Sequence, residues 1–170
     1  MEHVSVEIER KYVIKKPSVE AMRACEGYSE SRIVQTYLNS PSTETRRVRS
    51  RTLDGTTVYT ETRKIRIDAM SSTEIEREIT GEEYENLLLD SKADCRPIVK
   101  TRYTFIYLAQ LFEVDVYPEW ERSAIMETEL DTRDREVVFP DFIDVVRDVT
   151  GVKSYSNASM SRSFPAEIVE

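Results

Sequence analysis

Val4-Ser5-Val6-Glu7-Ile8-Glu9-Arg10-Lys11-Tyr12 reads in two ways, and the choice between them settles the architecture. As a strand it sends alternate side chains to opposite faces. Glu7, Glu9 and Lys11 then share one face, and Val6, Ile8 and Tyr12 the other. Either the charged face meets water, or its two acids and one base look across an enclosed polar space at charges on other strands.

Outward from this stretch the same alternation recurs. Ile33 to Leu38 is a β-branched and aromatic run. Arg46–Leu53 and Thr56–Arg63 flank Asp54-Gly55, a turn pair that predicts a tight antiparallel hairpin, with Arg47, Arg49 and Arg51 on one face of its first arm. Three like charges at that spacing repel unless an anion collects them. Ile65 to Ser72 reads as a loop into Thr73–Ile79, where Glu74, Glu76 and Glu78 share a face. Arg96–Leu108 places Lys100 and Arg102 together, Gln110–Tyr117 places Glu113, Asp115 and Tyr117 together, and Ala124–Asp131 does so with Glu127 and Glu129.

Helices are few. Ser18 predicts a cap for a short helix from Val19 to Cys25 that ends at Gly27. Thr80 and Glu83 have capping-box spacing ahead of an apolar stripe of Tyr84, Leu87 and Leu88. Phe139-Pro140-Asp141 predicts a third helix through Val149, closed by Thr150-Gly151, with Phe142, Val145 and Val146 on its buried face.

The charges are sorted by strand: bases at Arg47–Arg51 and Lys100–Arg102, acids at Glu74–Glu78, Glu113–Asp115 and Glu127–Glu129. An open antiparallel sheet with a solvated face accommodates that. A closed antiparallel barrel also does, with a charged wet lumen and its apolar side under external helices, and it removes the edge strands. Clustered carboxylates suit Mg²⁺ or Mn²⁺, and clustered Arg and Lys suit phosphate oxygens, so a polyphosphate would bridge the two.

Composition narrows the chemistry. In 170 residues, 39% hydrophobic, there is material for one domain over 1–170. A net charge of -8 argues against nucleic acid or an anionic membrane as partner, so any anion must be held by local bases. No apolar run nears the ~20 residues of a membrane span, and the N-terminus does not read as a signal peptide; a cytoplasmic location is expected. The single histidine, His3, is expected to precede the first strand, which excludes a Ser-His-Asp triad. Cys25 and Cys95 lack zinc-site spacing and read as free thiols.

The residues resemble the CYTH superfamily, the triphosphate tunnel metalloenzymes. Glu7-Ile8-Glu9-Arg10-Lys11 has its ExExK signature, Arg47-Val48-Arg49 looks like its basic third strand, and Glu74-Ile75-Glu76-Arg77-Glu78 like its acidic fifth. Lys100-Thr101-Arg102-Tyr103 resembles the KxR strand, Glu113-Val114-Asp115-Val116-Tyr117 the acidic strand after it, and Glu127-Thr128-Glu129-Leu130 the late ExE; Tyr155-Ser156-Asn157 is similar to the C-terminal segment. The resemblance implies an α+β, mainly β fold: a closed eight-stranded antiparallel barrel with helices packed outside. It also implies metal-dependent hydrolysis of a phosphoanhydride bond, in inorganic triphosphate or a small organic triphosphate such as thiamine triphosphate. The alternatives it leaves are a class IV adenylyl cyclase and a non-catalytic polyphosphate or nucleotide sensor. Carried over by position, Glu7, Glu9 and Lys11 would be catalytic. Lys11, Arg47, Arg49, Lys100 and Arg102 would hold substrate, and Glu7, Glu9, Asp115, Glu127 and Glu129 would hold Mg²⁺ or Mn²⁺. Glu74, Glu76 and Glu113 would serve a second metal or a supporting ion-pair network. The expected partner is a small-molecule triphosphate, and the expected assembly a monomer or homodimer. On the fourth strand the family carries Thr-x-Lys. Thr60-Glu61-Thr62 is read here as that motif with threonine in the lysine position, leaving Arg63 or Lys64 to substitute through a shifted register or a bulge.

Overall fold

Asp54 and Gly55 both take positive φ, 49° and 79°. That is the backbone of a type I′ turn, whose twist matches the strands it joins. The turn links β3 (Thr45–Leu53) to β4 (Thr56–Arg66) in unbroken register, and β4 pairs in turn with β5 (Ser71–Ile79). The computed structural model describes residues 1–168. On the other side of β3 run β2 (Glu26–Leu38), β6 (Ile98–Tyr107), β7 (Gln110–Val116) and β8 (Ser123–Glu129).

Closure depends on β1 (Glu2–Lys15), which is long enough to serve two neighbours. Glu2–Ile8 pairs with β5, and Glu9–Lys15 pairs with β8. Eight antiparallel strands therefore close on themselves, and the barrel has no open seam between its first and last members.

This arrangement creates a local need that a helix over 139–149 would not meet. Where β5 leaves off at Ile8, the odd-numbered residues of β1 still point N–H and C=O groups to that side. The Glu9 amide donates to the Met70 carbonyl at 3.0 Å, the Lys11 amide to Thr150 Oγ1 at 3.0 Å, the Val149 amide to the Lys11 carbonyl at 2.9 Å, and the Lys15 amide to the Asp144 carbonyl at 2.9 Å. Accordingly the predicted third helix is absent. The segment instead supplies a ninth strand, β9 (Val145–Asp148), paired with Tyr12–Ile14. Ile143 and Val149 are the residues it buries, while Val145 is exposed. Strand two also starts earlier than its apolar run, because β6 pairs with it from Glu26 onward past a bulge at Gly27, whose φ is +66°.

Outside the barrel, Tyr12, Ile14, Met22, Phe105, Phe112, Val114 and Met126 form a core covered by α1 (Val19–Arg23) and the chain around Phe139–Ile143. Ser18 caps α1 as expected, although that helix ends at Ala24 rather than Gly27. A smaller core of Leu38, Val48, Ile79 and Tyr84 lies under α2 (Gly81–Leu87), where Thr80 and Glu83 form the full capping box.

One end of the interior is dry. Val13, Tyr37, Ile98, Tyr117 and Ile125 share the inward parity of the charged residues, and they pack with Trp120, Val149, Tyr155 and Met160 beneath a 3-10 turn at Lys153–Tyr155 and α3 (Asn157–Arg162). Trp120 donates from Nε1 to the Pro165 carbonyl at 2.9 Å, and Tyr117 Oη to Asn157 Oδ1 at 3.0 Å. The C-terminal segment is thus stitched over that end. No helix among the described residues is long and apolar enough to cross a membrane.

Candidate functional site

The barrel encloses a cavity of about 780 Å³. It opens between the β2–β3 loop, the β4–β5 loop and the C-terminal segment, and Glu7, Glu9, Lys11, Arg47, Arg49, Lys100, Arg102 and Glu127 all line it. Asp115 and Glu129 do not. Glu129 lies opposite Glu9 in the β1–β8 register and is exposed at the barrel's far end.

The two sides of the cavity differ in how their charges are matched. Lys100 Nζ stands 2.8 Å from Asp115 Oδ2, and Arg102 grips Asp115 with two bonds, Nε to Oδ1 at 2.7 Å and Nη2 to Oδ2 at 2.9 Å. Burial works against the Asp115 charge, but Arg102 and Lys100 hold its carboxyl well below the usual carboxylate range. Asp115, expected on the metal side, has both oxygens engaged by cations of the basic wall. Glu113 plays a lesser part in the same network, 3.0 Å from Arg102 Nη1. Burial draws Lys100 down to about 7, with Asp115 opposing and Arg102 reinforcing the shift.

Arg47 and Arg49 have no such partner. Among the described residues neither makes an ion pair with a carboxylate, and Arg47 Nε is buried without any hydrogen-bond acceptor. Arg49 donates from Nε and Nη2 only to the neutral Gln35 Oε1, at 3.3 and 3.0 Å. Burial and the charges of Arg47 and Arg102 bring Arg49 down to about 9. Arg51, farther along the strand, donates to Ser31 Oγ.

Across the lumen the imbalance is reversed. Glu7 is pushed up to about 9, first by burial and then by Glu74, Glu129 and Glu9; Glu7 and Glu74 are near enough to share a proton. Repulsion from Glu127, followed by burial, lifts Glu9 to about 7. Burial works against the Glu127 charge, but Lys11, 3.2 Å away, with Arg102 and Lys100 beyond it, holds this carboxyl at about 2. Lys11 also donates to the Tyr155 carbonyl at 3.2 Å, which ties the ExExK strand to the C-terminal segment.

The fourth strand is corrected by its register. β3, β4 and β5 pair without a shift or bulge, and Thr62, opposite Arg47 and Glu76, faces inward with Lys64 two residues on. Thr62-Arg63-Lys64 is itself a Thr-x-Lys, two residues beyond Thr60, so neither a shifted register nor a bulge is needed to bring a base inward. Thr62 Oγ1 donates to Glu76 Oε1 at 2.9 Å, and Lys64 Nζ lies 3.7 Å from Glu9 and 3.8 Å from Glu74. Arg63 points outward toward Glu44. Lys64, Glu74 and Tyr37 line the cavity as well, and Gln35, buried behind Tyr37, donates to its hydroxyl; neither residue of this largely apolar strand stands out in the sequence.

Among the described residues no three acidic, histidine or cysteine side chains form a ready-made metal cage. The donor set nonetheless fits a hard cation. Glu7, Glu9, Glu74 and Glu129 offer carboxylate oxygens alone, and their mutual repulsion is of the kind a divalent ion relieves.

No family model matches the sequence, and no curated protein does. Solved structures do. The inorganic triphosphatase NE1496 is 26% identical over 94% of this chain and 97% of its own, with a TM-score of 0.60. The PH1819 protein of Pyrococcus horikoshii OT3 is 24% identical over 75% of this chain and 80% of its own, with a TM-score of 0.59. A Bacillus halodurans protein provisionally described as an adenylate cyclase shares 16% identity over 77% and 83%, with a TM-score of 0.51. The latter two likenesses are of fold.

Proposed function

We propose, from the premise that this chain is a triphosphate tunnel protein of the CYTH superfamily, that it is a divalent-metal-dependent phosphohydrolase. Its substrate would be inorganic triphosphate or a small organic triphosphate such as thiamine triphosphate. The observation that carries the reading is the pair Arg47 and Arg49: two guanidinium groups inside a barrel, without a carboxylate partner among the described residues, facing an acidic cluster with too few bases. Cations left this way call for an anion, and acids left this way call for a cation. A metal triphosphate is both.

In this reading Arg47, Arg49 and Arg102 orient the phosphate chain by forked hydrogen bonds. Lys11 and Lys100 neutralise charge that grows on the bridging oxygen as the bond breaks. Glu7, Glu9 and Glu129, with Glu74 beside them, would hold Mg²⁺ or Mn²⁺, which supplies Lewis-acid polarisation of the phosphoryl group. Glu127, locked to Lys11, positions that amine rather than binding the ion. A carboxylate of the acidic cluster takes the proton from the attacking water, so no side-chain nucleophile is required.

The test is direct. Purified protein is incubated with tripolyphosphate, thiamine triphosphate or ATP, with and without Mg²⁺ and Mn²⁺, and orthophosphate and cyclic AMP are measured. Orthophosphate release from a triphosphate that depends on metal and is lost in Glu9→Ala supports the proposal. Cyclic AMP from ATP would replace it with a cyclase, and binding without turnover with a sensor.

A further inference from the structure

Tyr37 stands at the boundary between the dry end of the barrel and its charged cavity. Its ring packs in the apolar cluster with Val13, Tyr117 and Ile125, its residue is only 6% exposed, and it lies opposite Arg47 in the β2–β3 register. The side chain also lines the cavity. A tyrosine in that position could serve as packing alone, in which case phenylalanine would do as well.

The hydrogen bonds around it decide otherwise. Arg49 is a donor only, so the Gln35 atom that faces it at 3.0 and 3.3 Å is the amide oxygen. The other end of that amide is therefore the NH₂ group, and it lies 3.1 Å from Tyr37 Oη. An NH₂ group only donates, so the Tyr37 oxygen must accept, and its own proton is directed elsewhere. Among the described residues no acceptor for that proton is found. Three cations, Arg47, Arg49 and Lys11, lie within electrostatic reach of the hydroxyl, and Arg47 is close enough to donate to its oxygen as well.

From this chain of bonds we infer that Tyr37 is a phosphate-binding residue: Arg49 fixes Gln35, Gln35 fixes Tyr37, and the Tyr37 hydroxyl donates to a phosphoryl oxygen of the bound polyphosphate. The inference rests on the triphosphate reading of the cavity and adds to it a neutral donor on the basic wall. Being neutral, the hydroxyl contributes direction rather than charge. It holds an oxygen at a fixed angle between Arg47 and Lys11, while the cations supply most of the attraction.

Tyr37→Phe removes the oxygen and leaves the packed ring. Binding of tripolyphosphate in the presence of Mg²⁺ is followed by calorimetry for wild type, Tyr37→Phe, Gln35→Glu and the double variant, alongside thermal unfolding of each. The expected result for Tyr37→Phe is an affinity about tenfold weaker, the scale of one hydrogen bond to a charged group, with an unfolding temperature close to wild type. Gln35→Glu turns an acceptor toward Tyr37, draws its proton out of the cavity and pairs Arg49, so it weakens binding at least as much. In that background Tyr37→Phe then adds little, because the donor is already lost. Equal affinity of wild type and Tyr37→Phe overturns the inference and leaves the triphosphate reading standing. Full additivity of the two changes overturns the proposed relay through Gln35. Failure of the wild type to bind tripolyphosphate overturns the triphosphate reading and the inference together.

Discussion

Two clusters of charge share one barrel and behave in opposite ways. Around Asp115 the ions are closed upon themselves: Lys100 and Arg102 take both carboxylate oxygens at 2.7 to 2.9 Å, all three residues are buried, and the two bases reach the cavity already braced by their counter-ion. Around Glu7 and Glu9 on one side, and Arg47 and Arg49 on the other, like charges gather with few opposite ones within reach. The contrast separates the braced wall of the site from its unmatched charges. A buried ion that already has its partners holds the wall in shape, whereas one without them raises the energy of the empty protein and is stabilised when a ligand arrives.

The largest effect should come from breaking the closed cluster. Asp115→Asn keeps the shape of the side chain and removes the charge, leaving Lys100 and Arg102 buried with Glu113 on Arg102 and Glu127 acting on both from farther off. Loss of one partner from a buried pair costs about 3–5 kcal/mol, so denaturant unfolding should show a destabilisation of that order. A change below about 1 kcal/mol would mean that Asp115 is not structural.

Next is the open cluster. Arg49→Ala removes a guanidinium that no carboxylate among the described residues neutralises, so stability should hold or rise slightly while tripolyphosphate affinity falls about tenfold to a hundredfold, as for hydrogen bonds to charged groups. A large loss of stability without loss of binding would exchange the roles assigned to the two clusters.

The same contrast explains what the sequence could and could not show. Period-two alternation exposed the lumen face of β1, β3, β5 and β6 directly, since Glu7, Arg47, Glu74 and Lys100 each recur in kind two residues on. Which of those charges were matched was invisible, because Asp115 meets Arg102 only through the pairing of β6 with β7. The segment Phe139–Val149 looked helical because Phe142, Val145 and Val146 fall at helical spacing. It became β9 through a demand from elsewhere, the unpaired edge of β1 beyond Ile8. Thr62-Arg63-Lys64 was misplaced for a related reason: only the register against Arg47 and Glu76 fixes which threonine faces inward. The dry end of the barrel was hidden too, since Val13 and Ile125 look like ordinary strand residues until the C-terminal segment is seen to cover them.

A smaller effect should appear in the pH dependence of the metal-free protein. The carboxyls of Glu9 and Glu7 hold their protons up to about 7 and about 9, against 4.5 for the ordinary side chain. The folded chain therefore binds these protons more tightly than the unfolded one, and protonation favours folding. The favourable contribution is complete below about 4.5 and is lost as pH rises through about 7 and then about 9. Thermal unfolding of wild type without metal should thus fall by a few degrees from pH 6 to pH 9 more than that of Glu7→Gln. Saturating Mg²⁺ should reduce the difference, with protons released on binding when titrations in buffers of different ionisation enthalpy are compared. Parallel pH curves for wild type and Glu7→Gln would show that the acidic side is already balanced.

The smallest effect is the control that gives the others meaning. Lys16 is exposed just past the end of β1, and among the described residues its side chain makes a single polar contact, a 3.5 Å approach to the Trp120 carbonyl. Lys16→Ala and Arg49→Ala each remove one positive charge from a chain whose net charge is -8, so both change the overall field about equally. That field is screened beyond about 8–10 Å in ordinary salt, whereas contacts inside the barrel are screened far less. If the lumen holds the anion, Lys16→Ala leaves tripolyphosphate affinity within about twofold of wild type and Arg49→Ala does not. If the two variants weaken binding alike, and both losses vanish at high salt, attraction comes from the surface as a whole. The unmatched arginines of β3 would then have no privileged claim on the phosphate.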